Sequence, residues 1–253
     1  MQAIKYFTIN DDFEKIIKKN LFFKPIKIEK IENGWTNFVF SAKTIAGTYF
    51  FRFPRNDFFS ETLVKEVSIN KFLNEYLCIK TSKLKLKYFE EKKLLANDIA
   101  KFILNIQKID YEKLNLTTLS TFLENLSKVV SSANIDYNLN VHTPLIENEK
   151  NFVFCHGDLN PGNIIIGKNN KIKAILDFAF ATKSDNLIDL ARICGRLPED
   201  FRKMIIDAFD DISPTKANQN LINEYIKLWS YVDNSYISYM KKACPDVVVP
   251  EDI

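Results

Sequence analysis

Two carboxylates and one amide lie close together in an apolar part of the sequence. Asp158 and Asn163 fall in FVFCHGDLNPGNIII (residues 152–166), and Asp177 lies near the end of KIKAILDF (residues 171–178). Phosphoryl transfer between oxygens needs a metal against the phosphates, a carboxylate that aligns the acceptor hydroxyl and accepts its proton, and a cation on the donor phosphates. Oxygen ligands suit Mg²⁺, which keeps several waters and takes few protein groups. The spacing therefore supplies the first two requirements.

The same stretch also has an ordinary explanation, because Asn, Pro and Gly together form tight turns between buried segments. The chemical interpretation is more specific. Asp-x4-Asn, followed by a strand that ends in Asp-Phe, is the catalytic-loop pattern of kinases, in which Asp158 would be the base while Asn163 and Asp177 would hold the metal.

The cation is expected upstream, at Arg52 in TYFFRFPR (residues 48–55). Arg52 alternates with Phe51 and Phe53, so its side chain leaves the strand on the opposite face. An unpaired buried guanidinium would be costly, and Glu66 in the following helix is the predicted partner. The alternative is an edge-strand arginine in a surface ion pair.

The elements that must position these residues follow from the hydrophobic period. Alternating or β-branched segments predict strands at residues 26–32, 37–45, 48–55 and 83–89, and a hairpin at 163–178. Helical spacing predicts helices at residues 10–20, 60–77 with Ser60 as N-cap, 119–133, and from residue 91 onward. This order predicts an α+β protein with a smaller N-terminal part, residues 1–90, and a larger helical part, residues 91–253.

The turn between the first two predicted strands, ENGWTN (residues 32–37), could cover nucleotide phosphates with backbone N–H groups. Its candidate nucleotide-binding residues are Gly34, Thr36 and Asn37. An ordinary hairpin turn would have the same composition.

Composition excludes several classes of protein. The net charge of +3 arises from 35 basic and 32 acidic residues, with the lysines spread over presumed helix faces, so no nucleic-acid partner is predicted. The four cysteines form no CxxC pair, so neither a zinc site nor a disulfide framework is indicated. No apolar run approaches the roughly 18 residues of a membrane span, and acids replace the apolar core of a secretory signal, so we expect a cytoplasmic protein. The oligomeric state stays open.

Five segments together resemble the aminoglycoside phosphotransferase and choline kinase superfamily, which are small-molecule kinases of protein-kinase-like fold. These segments are NGWTN, FRFPR, HGDLNPGN, ILDF and DNLIDLARI, within residues 26 to 195. The sequence is most similar to the aminoglycoside branch. The resemblance implies a bilobal fold, with a small antiparallel-sheet lobe before a larger, mainly helical lobe.

The resemblance also implies a role for each matching residue. Asp158 would be the catalytic base, Asn163 and Asp177 Mg²⁺ ligands, Arg52 the contact to the phosphates of ATP or GTP, and Glu66 its anchor. His156 matches the motif histidine, which fixes the loop, and Asp189 matches a structural brace. His142 has no motif around it and is expected to be a surface residue.

The sequence departs from this superfamily at two places. The segment KLKLKYFEEKKLL is short for the strands and hinge that usually bind adenine, so a degenerate kinase or nucleotide-binding module is an alternative. Position 52 holds Arg rather than Lys, which still supplies the charge.

The C-terminal region points to two kinds of hydroxyl acceptor. Acidic residues would suit a small amine-bearing molecule such as an aminoglycoside, namely Asp207, Asp210, Asp211, Glu224 and Asp233. Aromatic residues near a carboxylate would suit a quaternary ammonium such as choline, namely Tyr225, Trp229, Tyr231, Tyr236 and Tyr239. Helical spacing also allows these aromatics to be plain core.

Overall fold

The computed structural model describes residues 8, 10–21, 23–31, 36–73, 89–135, 152–167 and 171–243. Gly34, His142 and the adenine-hinge segment before residue 89 lie outside these residues, as does the predicted strand at 83–89 except for Phe89, which is helical.

The described residues form seven helices and seven strands. The helices are α1 (Phe13–Asn20), α2 (Asp57–Leu73), α3 (Phe89–Ile106), α4 (Leu119–Ser132), α5 (Ile188–Cys194), α6 (Glu199–Ile212) and α7 (Gln219–Ala243). The strands are β1 (Lys27–Ile31), β2 (Asn37–Thr44), β3 (Gly47–Pro54), β4 (Val153–Cys155), β5 (Ile164–Ile166), β6 (Ile172–Ile175) and β7 (Thr182–Ser184). None of the helices in the described ranges is both long and apolar enough to cross a bilayer.

The chain divides into two compact units, which we call the first and the second unit. The first comprises Met1–Val67 with Ile237–Ile253, and the second comprises Ser68–Tyr236. The predicted division between residues 90 and 91 stays a prediction.

The first unit contains the predicted three-stranded antiparallel sheet, in the order β1-β2-β3. Alternate residues of β2 and β3 turn one face of the sheet toward α1, because side chains alternate between the two faces of a strand. Phe13 of α1 contacts Phe38, Phe40 and Phe53, with ring centroids 4.9, 5.0 and 5.1 Å away. Arg52 pairs with Val39 in the β2–β3 register, so its side chain is on the other face.

The start of α2 differs from the prediction. The helix begins at Asp57, and the side chain of Asn56 accepts a hydrogen bond from the backbone N–H of Phe59 at 2.9 Å. Ser60 therefore lies within the first turn and is not the N-cap. Asn is as strong an N-cap as Ser, so both residues were possible caps. The adjacent Phe58 and Phe59 do not show the helical spacing that would have placed the start of the helix at Asp57.

The second unit is mainly helical. Helix α3 packs against α6, and also contacts α5, β4 and β6. Ile99, Ile103 and Ile106 are buried along α3 at helical spacing. Two short antiparallel ladders, β4–β7 and β5–β6, carry the loops that hold the candidate site.

Candidate active site

The loop that follows β4 is held in shape by a glycine. Gly157 has a φ of +78°, and a Cβ at this position would lie 2.0 Å from the backbone oxygen of Phe180. Glycine adopts this left-handed conformation without strain, and no other residue would fit the space. The turn places Asp158 shortly after β4, whose last residue, Cys155, is buried.

Asp189 of α5 braces this loop, as predicted. Its carboxylate accepts hydrogen bonds from the backbone N–H of His156 at 2.7 Å and of Gly157 at 2.9 Å. Burial raises the pKa of the Asp189 carboxyl, while His156 and the two backbone N–H groups act in the opposite direction. The side chain is buried, so it serves the loop and not a ligand.

His156 uses both ring nitrogens inside the protein. Nδ1 accepts a hydrogen bond from the backbone N–H of Asp158 at 3.2 Å, so Nε2 carries the proton and donates to the backbone oxygen of Leu176 at 2.9 Å. The ring is fully buried and lies 4.4 Å from the Phe178 ring. These contacts tie the loop to the β6 end, which is the loop-fixing role that the motif implies.

Asn163 contacts Asp158 as the Asp-x4-Asn spacing suggests. Its Nδ2 donates to the backbone oxygen of Asp158 at 2.9 Å and to Oδ2 of the carboxylate at 3.2 Å. Asn160 shapes the turn between them, because its side-chain oxygen accepts the backbone N–H of Gly162 at 2.8 Å. Pro161 fits the first position of this short 3₁₀ turn.

The β5–β6 hairpin brings Asp177 to the same end of the ladder as Asn163. Ile164 pairs with Ile175, and the backbone N–H of Leu176 donates to the backbone oxygen of Asn163 at 2.8 Å. Asp177 follows with a φ of 64° and a ψ of 66°, a left-handed conformation that is uncommon for non-glycine residues but that Asp tolerates better than most.

Asn163 and Asp177 offer the oxygen ligands that a magnesium ion prefers. The amide nitrogen of Asn163 faces Asp158, which turns its oxygen to the other side of the amide group. An amide oxygen and one carboxylate are a sufficient protein contribution for Mg²⁺, which keeps several waters. Among the described residues, no group of three or more His, Cys, Asp or Glu is placed to bind a metal.

The sequence did not reveal the partner of Asp158. Arg192 of α5 donates from Nε and Nη2 to Oδ1 of Asp158, at 2.9 and 2.7 Å, and from Nη1 to Asp233 of α7 at 2.6 Å. Arg196 also donates to Asp233, and the Arg192 guanidinium lies over the Trp229 ring, 4.7 Å from its centroid. Burial alone would lower the pKa of Arg192, but Asp158 and Asp233 outweigh it and raise that pKa. The signal that could have found this network is a charged residue within the apolar run LARIC, since a buried charge needs a partner.

In the first unit, Arg52 and Glu66 form the predicted ion pair. Nη1 of Arg52 donates to both carboxylate oxygens of Glu66, at 2.8 and 2.6 Å. The Glu66 side chain is 6% exposed and that of Arg52 is 30% exposed. Because its acidic member is buried, the pair is not the surface ion pair that was the alternative.

Thr36 and Asn37 form the described part of the predicted phosphate-covering turn. Nδ2 of Asn37 donates to Oγ1 of Thr36 at 2.7 Å, while Oδ1 of Asn37 is buried and accepts no hydrogen bond from the part of the chain that the structure describes. An amide oxygen accepts hydrogen bonds, so it would suit a hydroxyl or amino group of a ligand and not a phosphate oxygen.

The candidate acceptor residues are largely engaged within the protein. Asp207 pairs with Lys203 at an N–O distance of 2.7 Å, and Glu224 pairs with Lys227 at 2.5 Å. Among the aromatic residues proposed to bind an acceptor, three are buried in the core, namely Tyr225, Trp229 and Tyr239. The core interpretation is thus correct for these three aromatics.

A family model described as the phosphotransferase enzyme family matches residues 80–216 of the chain. No curated protein sequence gives a significant match. Solved structures do match. Choline kinase LicA from Streptococcus pneumoniae has a TM-score of 0.70 and 17% identity, covering 92% of this chain and 92% of that chain.

Two further solved structures that are similar to this chain are phosphotransferases named for other acceptors. The GDP complex of aminoglycoside 2'-phosphotransferase-IIIa has a TM-score of 0.63 at 16% identity, covering 93% of this chain and 96% of that chain. Macrolide 2'-phosphotransferase MphH from Brachybacterium faecium has a TM-score of 0.62 at 14% identity, covering 95% of this chain and 98% of that chain.

The small antiparallel sheet and the larger helical part define a protein-kinase-like fold, as predicted. Because the family model covers more than half of the chain, the protein belongs to the phosphotransferase enzyme family. The superfamily suggested by the five sequence segments is thereby confirmed.

Proposed function

We propose that this enzyme transfers the γ-phosphoryl group of ATP, with Mg²⁺, to a hydroxyl of a small amine-bearing acceptor. One observation carries the proposal. Asp158 and Asn163 are joined by hydrogen bonds in one turn, and the hairpin that starts after Asn163 ends at Asp177. This is the set of side chains that phosphoryl transfer requires.

Asp158 accepts the proton of the acceptor hydroxyl in this proposal. Its side chain is 17% exposed, so the carboxylate can be reached, while the backbone around it is fixed by Asp189 and His156. Such fixed placement lowers the entropic cost of bringing a hydroxyl into line with the donor.

Asn163 and Asp177 would hold the magnesium ion. When bound, Mg²⁺ supplies neutralisation of the charge that spreads over the phosphate oxygens. The protein contributes the orientation of these ligands, through the bond of Asn163 to Asp158 and through the β5–β6 ladder.

Arg52 would contact the donor phosphates, with Glu66 as its anchor. A buried carboxylate holds the guanidinium in one geometry, while nearly a third of the arginine side chain is exposed. GTP is the second donor to test, because the related aminoglycoside 2'-phosphotransferase-IIIa was solved with GDP.

Aminoglycoside-like acceptors lead the proposal because of the sequence resemblance. A choline- or ethanolamine-type acceptor is the second candidate, and two observations favour it. Choline kinase LicA has a TM-score of 0.70 to this chain, and Asp207 and Glu224 are neutralised by lysines, which weakens the case for a polycation surface.

The test is a screen for Mg²⁺-dependent consumption of ATP or GTP with kanamycin, streptomycin, erythromycin, choline and ethanolamine. We expect consumption above the acceptor-free rate with at least one amine, and its loss in EDTA. Nucleotide binding without turnover on every acceptor would instead support the degenerate-kinase alternative. A lack of both would remove the proposal.

A further inference from the structure

Arg192 donates both of its hydrogen bonds to Asp158 to the same carboxylate oxygen. Nε and Nη2 both donate to Oδ1, at 2.9 and 2.7 Å, whereas Oδ2 receives the longer bond from Asn163, 3.2 Å. Two charge-assisted bonds engage Oδ1 strongly. Oδ2 is thus the oxygen with capacity to accept a further proton or hydrogen bond.

Arg192 is itself fixed from two sides. Asp233 accepts a bond from Nη1 at 2.6 Å, and the indole of Trp229 lies under the guanidinium. Asp233 and Trp229 are one turn apart on α7, so a single helix provides both contacts. The Arg192 side chain is only 8% exposed, which leaves it one geometry.

Only arginine can make all of these contacts together. The planar guanidinium presents several N–H groups in a rigid fork and stacks on an aromatic face. A lysine at this position would keep the charge but would bring a single nitrogen, which cannot reach Asp158 and Asp233 in the same way.

We propose that Arg192 is a positioning residue for phosphoryl transfer, which holds Oδ1 of Asp158 so that Oδ2 meets the acceptor hydroxyl. Asp233 fixes Arg192 in turn. This inference rests on the proposed function, because it needs Asp158 as the proton acceptor. In the reaction, the acceptor oxygen bonds to phosphorus, its proton passes to Oδ2, and the bond from phosphorus to the leaving nucleoside diphosphate breaks. Arg192 exchanges no proton or bond.

The experiment is a double-mutant cycle on turnover of Mg-ATP with an acceptor from the screen. Arg192→Lys is expected to lower kcat roughly 10-fold and Arg192→Met roughly 100-fold, with KM for Mg-ATP within about twofold, since the role is confined to the base. In an Asp158→Asn background, Arg192→Met should lower kcat by less than about threefold more, because residues that act through one group are not additive.

Arg196→Met is the matched control. It removes a second cation from Asp233 but leaves both bonds to Asp158, so its kcat should stay within about threefold of the wild type. If Arg192→Met fails to fold, as judged by circular dichroism, Arg192→Lys in both backgrounds completes the same cycle.

Two outcomes would overturn the inference about Arg192, and two others would refute the proposed function on which it rests. A full additional loss from Arg192→Met in the Asp158→Asn background, or unchanged kcat for Arg192→Met alone, would show that Arg192 does not act through Asp158. Unchanged kcat for Asp158→Asn would refute the proposed function itself, and so would a panel without turnover.

Discussion

Two arginines, Arg52 in the first unit and Arg192 in the second, are bound to carboxylates in different ways. Arg52 donates to Glu66 and keeps 30% of its side chain exposed. Arg192 bridges Asp158 and Asp233, covers an indole and keeps 8% exposed. The first arrangement leaves nearly a third of the arginine side chain exposed to solvent, whereas the second engages a nearly buried guanidinium with two carboxylates and an aromatic ring. We infer that Arg52 serves binding and Arg192 serves the chemistry.

The largest effect that tests this division is expected from Asp158→Asn. The amide cannot accept the hydroxyl proton, so kcat should fall by roughly 10² or more, the scale of a missing general base. The affinity for Mg-ATP, measured by calorimetry, should stay within a few fold, because the substitution leaves Arg52 and Glu66 intact. Normal turnover would contradict the assignment of Asp158.

Arg52→Met should produce the complementary effect in the first unit. Loss of a charged contact to phosphate should raise KM for Mg-ATP by roughly 10-fold to 100-fold, with a smaller change in kcat. Steady-state kinetics at varied nucleotide concentration gives the answer. Glu66→Gln is the companion variant, with a smaller rise in KM because the arginine remains but loses its charged anchor. A drop confined to kcat would reverse the roles of the two arginines.

The sequence predicted local relationships well, because they depend on short spacings. The Asp158–Asn163 contact spans one turn, and the Arg52–Glu66 pair joins a strand to the helix that follows it. Alternation of Arg52 with two phenylalanines also indicated that it needed a partner. In each case the backbone between the two residues is short and regular enough to fix where the side chains meet.

Contacts between distant segments could not be predicted in this way. Arg192 reaches Asp158 across 34 positions and Asp233 across 41. Which carboxylate a buried arginine meets depends on how α5 and α7 pack, and hydrophobic period does not specify that packing. Asp233 was therefore grouped with the acids of a candidate acceptor pocket, although the structure pairs it with two arginines.

Replacing each arginine by lysine, which keeps the charge, should produce smaller effects and compares the need for arginine geometry at the two sites. Arg52→Lys should change KM for Mg-ATP by less than about threefold, because a lysine point charge also binds phosphate and can pair with one carboxylate. Arg192→Lys should instead lower kcat roughly 10-fold, since the fork geometry is lost. Equal effects of the two substitutions would show that geometry matters no more at Arg192 than at Arg52.

The last prediction concerns the stability of the fold and Lys65, which precedes Glu66 on α2. Burial lowers the pKa of Lys65 from 10.5 to about 8. The unfolded chain therefore holds more protons than the folded protein between these two values, so this lysine makes the protein more stable as pH rises from 8 toward 10.5. Between pH 7 and pH 9 the gain should be about 1 kcal/mol.

Urea unfolding gives the free energy of unfolding of the wild type and of Lys65→Met at pH 7 and at pH 9. The gain is the change with pH in the wild type minus the change in the variant, a difference in which the contributions of other titrating groups cancel. Lys203→Met is the matched control, because Lys203 is exposed and pairs with Asp207 on a helix surface. Its difference from the wild type should not change with pH in this range. If Lys65→Met and the wild type show the same pH dependence, Lys65 stays protonated in the fold throughout this pH range.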